Sequence, residues 1–382
     1  MTEAAAPVAT GLRGVVIGDS KTSLVDGENG RLIYAGYTIQ DLAENALFEE
    51  VVYLLWNNEL PTAAELEALR AEIAEGAVLP QAVIDRMKAY PKNIQPMAML
   101  RTVVSLLAFY DPESEDMHLD SVKRKAVRLT GQITTICAAW ARIRNDQEPI
   151  APRHDLNLAQ NFMYMLSGEE SDPVAADAIN TYLVLLAEHG MNASTFTSRV
   201  ITATGADIYS AIVGAIGALK GPSHGGANAE AMQMFLDIGE VDNVPVWFNT
   251  EFKGKNRKIM GIGHAVYKAL DPRATILKEK ARALATSTGN LKWFDIAEKL
   301  DDTARADQHF IDRRLYANVD YYSAIVLYTL NLDIEMFTPL FAMARIAGWS
   351  AHVIEQMGGK LIRPDVNYIG AMDLPWVAID AR

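Results

Sequence analysis

Three of the seven histidines stand beside glycine in segments that read as turns at helix ends: His189-Gly190, Gly221-Pro222-Ser223-His224-Gly225-Gly226 and Gly261-Ile262-Gly263-His264. A histidine packed inside a helix needs no such neighbours, whereas glycine permits positive φ and lets a ligand come close to backbone. Each alone reads as a structural histidine; the repeated pairing points to imidazoles presented at the mouth of a shared cavity. His224 precedes Ala227 to Met232, which reads as a new helix. The dipole at a helix N-terminus disfavours an imidazolium, and a neutral His224 could donate a hydrogen bond to a developing enolate. His264 has Arg257-Lys258 before it and Lys268 and Asp271-Pro272-Arg273 after it. Gly261 to Gly263 lacks the spacing of a nucleotide phosphate loop. Beside these cations it still makes a site for a phosphorylated, acidic ligand.

Asp320, in Asn318-Val319-Asp320-Tyr321-Tyr322-Ser323, precedes the apolar run Ala324 to Leu330. It reads either as a helix N-cap or as a general base in an apolar, aromatic-flanked pocket. Arg345 lies among Phe341, Met343, Ile346 and Trp349, seven residues before His352 and on the same helical face. A guanidinium there needs an anion, either a protein carboxylate or a substrate carboxylate held bidentately. The single cysteine, Cys137, sits in an apolar run. It allows no intrachain disulfide and no cysteine-built zinc site, and reads as a buried small hydrophobe.

The elements that must position these residues are mostly helical. The first 40 residues alternate, with Val15-Val16-Ile17, Ser23-Leu24-Val25 and Leu32-Ile33-Tyr34 as apolar runs around the turn cluster Asp26 to Gly30, which predicts a small β-ribbon. From Asp41 the period becomes helical, with one amphipathic helix ending near Asn57-Asn58 and the next capped by Thr62. Further helices are expected through 66–73, 97–110, 122–144 and 158–166. Segments 178–187 and 206–219 are apolar on nearly every face, as in helices buried all round. Gly214 and Gly217 in the second would admit another backbone, as in a central helix at a subunit interface. A long amphipathic helix, 339–356, closes at Gly358-Gly359. The expected fold is all-α: a large helical domain (1–221 and 327–382), a smaller inserted helical domain (222–326) and the short N-terminal β-ribbon.

At 382 residues, half of them hydrophobic and 22% charged, the chain can bury a large core. Its formal net charge of −13 argues against a nucleic-acid or anionic-membrane binder, which needs a basic footprint. Acidic substrates remain open, because charges farther than about 10 Å away are screened. Residues 1–10 lack the features of a signal or transit peptide, and no apolar stretch reaches the roughly 20 residues of a bilayer span. The expectation is a cytoplasmic protein.

The runs GPSHGGAN, KIMGIGHAVYKALDPRA, NVDYYSA and EMFTPLFAMARIAGWSAHVIEQ, with the opening segment 11–62, resemble the citrate synthase family in the family's order, from about Gly11 to Gly370. The resemblance implies an all-α homodimer with active sites shared between subunits, with room for a higher oligomer, and two domains that close over the substrates. It implies a catalytic triad of His224, His264 and Asp320. Asp320 would take a methyl proton from acetyl-CoA while His224 donates to the enolate oxygen. His264 would polarise and protonate the carbonyl of oxaloacetate, and hydrolysis of the citryl thioester would follow. His189, Arg273 and Arg345 would hold the oxaloacetate carboxylates, with Arg363 supplied by the partner subunit. Arg257, Lys258, Gly261 and Gly263 would contact CoA. No metal or cofactor is implied; acetyl-CoA is a substrate.

The chain departs from the family pattern at Gln95, where His-Pro-Met is usual, at Ala265, where arginine is usual, and at Asp365 after Arg363-Pro364. None is a triad position. The stretches 189–200 and 209–228 also resemble the 2-methylcitrate synthase branch, which uses propionyl-CoA. One methylene changes transition-state binding by only about 1–3 kcal/mol. A rival of another class is a metal hydrolase built on His189, His224 and His264, although the chain has no HExxH and no compact ligand pair. A scaffold that kept the fold without activity is a third.

Overall fold

Polar side chains set where the helices begin. The Thr62 hydroxyl accepts from the Glu65 amide and the Glu65 carboxylate accepts from the Thr62 amide, closing a capping box on the helix Ala63–Gly76. Asn157 and Gln160 do the same for Leu158–Ser167. Asp172, Asn192 and Asp207 cap Pro173–Leu186, Ala193–Thr202 and Ile208–Leu219. The computed structural model describes residues 10–12 and 14–382, so the leader reading of residues 1–9 lies outside the described residues. It is mainly helical, with one three-stranded antiparallel sheet among the described residues. No described helix is long and apolar enough to cross a membrane.

The sheet is the expected ribbon, placed later than the sequence predicts. Strands β1 (Ser23–Asp26), β2 (Arg31–Tyr34) and β3 (Tyr37–Thr38) form a meander, with Ser23 opposite Tyr34 and Asp26 opposite Arg31. The Asp26 carboxylate accepts from the amide and side chain of Asn29, which tightens the turn. Val15, Val16 and Ile17 are exposed and belong to no strand; their alternation had no partner to pair with.

The single helix expected from Asp41 to Asn57 is two, Ile39–Asn45 and Phe48–Asn57. Asn180 occupies the break, donating to Ala46 O and accepting from Phe48 N, so a tertiary contact satisfies what a continuous helix would have satisfied internally. Asn58, at φ 62°, ends the second helix in the left-handed region.

The central helix is Phe337–Gln356, buried along nearly its whole length, Arg345 and His352 included. Around it pack Phe48–Asn57, Leu119–Arg144, Pro173–Leu186, Ala193–Thr202 and Ile208–Leu219. Ile208–Leu219, expected at a subunit interface, buries one face within the chain, through Ile208, Ala211, Ile212, Ala215 and Leu219. Ser210, Val213, Gly217 and Ala218 reach the surface of the single chain, while Gly214 gives room to the Ile201 side chain. A second group, Ala227–Ile238, Pro272–Ser287, Lys292–Arg305 and Val319–Thr329, packs on itself; it meets the first chiefly where Pro272–Ser287 lies on Pro173–Leu186, and also where Ala227–Ile238 touches the central helix and Val319–Thr329 touches Pro173–Leu186. Beyond Gln356 the chain is mostly irregular and exposed, ending in a 3-10 turn at Ile379–Ala381.

Candidate active site

The end of Pro173–Leu186 is pressed against the central helix at Gly348. A Cβ there would stand 2.4 Å from Ala187 O and 2.3 Å from the Glu188 carboxylate, so only glycine lets the two elements meet. Glu188, fully buried, accepts from Gly190 N, and Gly190 at φ 61° turns the chain. That turn carries His189, whose ring centroid lies 5.4 Å from that of His264 and whose Nε2 is 3.2 Å from Tyr267 Oη.

The His264 loop is held to the segment that leads into Val319–Thr329. Gly263 N donates to Tyr316 O, Asn318 N to Gly261 O and Asn318 Nδ2 to Gly263 O, at 2.7–2.8 Å. Gly261 and Gly263 have φ of 78° and 94°, and a Cβ on Gly261 would lie 2.9 Å from Tyr321 Cα. In the chain itself these glycines serve this close backbone packing. Asn318 Oδ1 accepts from Asp320 N and caps the helix. The N-cap reading of Asp320 therefore fails: Asp320 is the second helical residue, and among the described residues no donor reaches its carboxylate. Burial pushes that carboxylate up to about 6 against the pull of Arg273, with Asp271 adding to the rise and Arg345 opposing it.

Hydrogen bonds fix both ring tautomers, because a backbone amide can only donate. His264 Nδ1 accepts from Val266 N (3.0 Å) and Tyr267 N (3.2 Å), so its ring proton sits on Nε2. His224 Nε2 accepts from Ser194 N at 3.3 Å and lies 2.9 Å from Ser194 Oγ, so its proton sits on Nδ1. Ser194 Oγ in turn accepts from Trp349 Nε1 and lies 2.8 Å from Asn192 Oδ1, so its single proton serves either that oxygen or His224 Nε2. Both rings are held neutral, with pKa values near 4. Burial is the main cause for each, followed by Arg345 at His224 and Arg273 at His264. The expected role of a helix dipole at His224 gives way to this account: the helix starts three residues later, at Ala227, behind a Gly226 cap. His189 is also held well below the usual imidazole range by burial, then by Arg273, His264 and Arg345.

The arginines differ in what they are bound to. Arg273, 2% exposed, donates through Nε and Nη2 to Asp271 at 3.0 and 2.8 Å, and Asp271 also accepts from Val319 N. Arg345, 1% exposed, donates Nε to Leu186 O at 2.7 Å and lies 4.7 Å over the Phe341 ring. Among the described residues no carboxylate lies within ion-pair distance of it, and its terminal amino groups have no protein acceptor. The protein-carboxylate reading of Arg345 is thus not what the structure contains. Arg257 is ion-paired to Asp237 at 2.6 Å and stacked over Trp247, apart from the histidines; Lys258 is exposed. Arg363 lies in the exposed tail, and among the described residues nothing joins it to the cluster. Gln95 caps Pro96–Leu107 through Ala98 N.

Sequence reasoning missed Glu188, Ser194, Tyr267, Asp271 and Trp349. Only Asp271 carried a signal, two residues before Arg273 at a Pro-started helix; the others join the site through tertiary contact alone. A cavity of about 750 Å³ lined by Arg142, Asn145, Trp293, Tyr328 and Asn331 lies elsewhere and contains none of these groups. No cluster of three or more His, Cys, Asp or Glu side chains among the described residues is arranged to hold a metal ion.

The cluster thus offers a carboxylate of raised basicity, two neutral imidazoles each with a fixed N–H, and two buried guanidiniums. That set can remove a weakly acidic carbon-bound proton and stabilise the oxyanion that results, beside an acceptor carrying carboxylates.

Against this background, a family model described as "Citrate synthase, C-terminal domain" matches residues 11–365. Citrate synthase 2 of Bacillus subtilis is 45% identical over 97% of this chain and 98% of its own. 2-Methylcitrate synthase 1 of Corynebacterium glutamicum is 38% identical, with 98% of each chain covered. Among solved structures, a ternary complex of carboxymethyl coenzyme A and oxaloacetate with citrate synthase from Thermoplasma acidophilum superposes with a TM-score of 0.91. It is 32% identical and covers 98% of this chain and 99% of that one.

Proposed function

This chain belongs to the citrate synthase family, and we propose that it condenses acetyl-CoA with oxaloacetate and water to give citrate and CoA, as a cytoplasmic enzyme of central metabolism. The observation that carries this reading is the pair of fixed, complementary tautomers, together with Asp320, which shares Arg345 as an electrostatic neighbour with His224 and Arg273 with His264. One ring offers Nδ1–H and the other Nε2–H, so each can serve a different carbonyl oxygen.

In this reading Asp320 removes a proton from the thioester methyl group. A base alone is insufficient for so weak an acid, and His224 Nδ1–H stabilises the enolate oxygen as charge develops there. His264 Nε2–H polarises the ketone of oxaloacetate and protonates it as the carbon–carbon bond forms. Neutral rings suit both tasks, since each must present a proton and keep its position. The carboxylates of oxaloacetate are assigned to His189, Arg273 and the unpaired amino groups of Arg345. Hydrolysis of the citryl thioester completes the turnover. CoA would lie toward the outer surface near Lys258 and the Gly261 to Gly263 loop. Arg257 contributes there only by leaving Asp237, which makes it the weakest of the CoA contacts.

We further assign a homodimer in which Arg363 enters the partner's site. This is supported by the exposed tail, where Val366, Ile369, Met372, Leu374 and Trp376 are all more than 70% exposed. The surface stripe of Ile208–Leu219 supports a second contact. Segments 222–326 and 327–382 with 1–221 are taken as the two domains that close on the substrates, which excludes water from the enolate.

A second reading, 2-methylcitrate synthase, is favoured by the likeness to the Corynebacterium enzyme. The two are separated by kcat/KM for acetyl-CoA against propionyl-CoA with oxaloacetate, followed by release of free thiol. A preference of tenfold or more for acetyl-CoA supports the first. A preference for propionyl-CoA replaces it with the second, and absence of turnover with both overturns each.

A further inference from the structure

We infer that the N-terminal β-ribbon is a positioning element of the oxaloacetate site: its base holds the backbone that carries His189, and its tip holds the backbone that carries His264. The inference rests on the functional reading above and goes beyond it.

At the base, Tyr34, fully buried, donates its hydroxyl to Glu188 O at 2.7 Å and accepts from Glu188 N at 3.2 Å. Ser23, directly opposite Tyr34 in the ladder, donates to Glu188 Oε1 at 3.0 Å. Glu188 Oε1 is the atom that accepts Gly190 N, so the ribbon grips the His189 turn from both sides. At the tip, Lys268 N donates to Gly27 O at 2.8 Å. A Cβ on Gly27 would stand 2.3 Å from Val266 O, and one on Gly30 would stand 2.6 Å from Leu270 O. Val266 N is one of the two amides that fix His264 Nδ1.

Base and tip are the two ends of one four-residue ladder, about 10 Å long at roughly 3.4 Å per residue. A paired, twisted ladder is stiffer than a loop, so it acts as a spacer between two turns that lie far apart in sequence. The spacing it sets is the 5.4 Å between the two rings. Gly27 has no positive φ, so an alanine there is opposed by the Val266 contact and not by backbone strain. Gly36, in the turn between β2 and β3, is the converse. Its φ is 98°, yet a Cβ there would meet nothing within 4 Å.

These two glycines separate positioning from mere ribbon stability. Wild type, Gly27→Ala, Gly36→Ala, Ser23→Ala and Ser23→Thr are compared in the full chain by steady-state kinetics and thermal melting. Gly27→Ala is expected to lower kcat/KM for oxaloacetate at least tenfold, with its melting temperature no lower than that of Gly36→Ala. Gly36→Ala is expected to melt earlier than wild type and to keep kcat/KM within twofold. Ser23→Ala should lose severalfold in kcat/KM, and Ser23→Thr, which keeps the hydroxyl, should recover it. The inference is overturned if Gly27→Ala stays within twofold of wild type, or if Gly36→Ala loses as much activity. Should Gly27→Ala fail to fold, the Ser23 pair decides, and equal activity of the two variants overturns it. A wild-type chain that does not turn over oxaloacetate would overturn the functional reading and this inference together.

Discussion

The Glu188 carboxylate and the His352 imidazole meet at 3.1 Å with neither side chain more than 1% exposed, directly behind the turn that carries His189. Burial works against a charged ring there, but Glu188, and then Glu355, hold its proton, raising His352 to about 9. Arg199, 3.1 Å from Nδ1, opposes them and is outweighed. The native chain therefore binds this proton more tightly than the unfolded chain. The stabilisation is complete below about 6.5 and is lost as pH rises through 9. Thermal melts should show stability falling between pH 7 and 9.5. His352→Gln should lower stability at pH 7 by about 3–5 kcal/mol, as expected for a broken buried pair, and flatten that slope. An unchanged slope in the variant would remove His352 as its source.

Asp320 carries the opposite balance. Its proton is also held more tightly in the native state, but for an acid this means that ionisation costs stability as pH rises from about 4 to about 6. Asp320→Asn should abolish turnover, leave oxaloacetate affinity nearly unchanged, and stabilise the chain at pH 8 by up to about 3 kcal/mol. At pH 4 the gain should vanish. In the wild type, kcat/KM for the acyl-CoA should fall as pH drops through about 6. Calorimetric titration with oxaloacetate, melts at the two pH values and a pH–rate profile check the three parts.

Arg273→Ala and Arg345→Ala should both weaken oxaloacetate binding a hundredfold or more, because each removes a charged partner of a carboxylate. Their stabilities should differ. Arg273→Ala leaves Asp271 buried and unpaired, which costs about 3–5 kcal/mol. Arg345→Ala strands only a carbonyl, Leu186 O. Titration of each variant with oxaloacetate, alongside denaturant melts, tests this; similar stabilities would contradict the assignment of Asp271 as the partner of Arg273 alone.

Mixing inactive Arg363→Ala and Asp320→Asn subunits should restore partial activity if each site draws Arg363 from its neighbour. The hybrid would contain one site with both residues intact. Activity that stays at background after confirmed subunit exchange would place Arg363 outside the shared site.

The helical character, the ribbon turn and the Thr62 cap were legible because each depends on neighbours within four residues. So were the three glycine-flanked histidines, whose backbone demands are local. What the sequence left open was partnership. Whether Asp320 capped its own helix or stood free depended on Asn318, which can perform the same task two residues earlier. Whether Arg345 met a carboxylate depended on Glu188, which is far away in sequence and turns toward His352 instead. Val15 to Ile17 is at least as apolar and β-branched as β1, yet a strand exists only where a second one pairs with it. Ser194 and Trp349 carry no sequence mark of their role because their geometry exists only after the helices pack.

Asn318 ties three things at once: its amide to Gly261 O, its side-chain nitrogen to Gly263 O and its side-chain oxygen to Asp320 N. The loop bearing His264 and the helix bearing Asp320 are thereby one mechanical piece: a displacement of either is carried to the other through a single side chain.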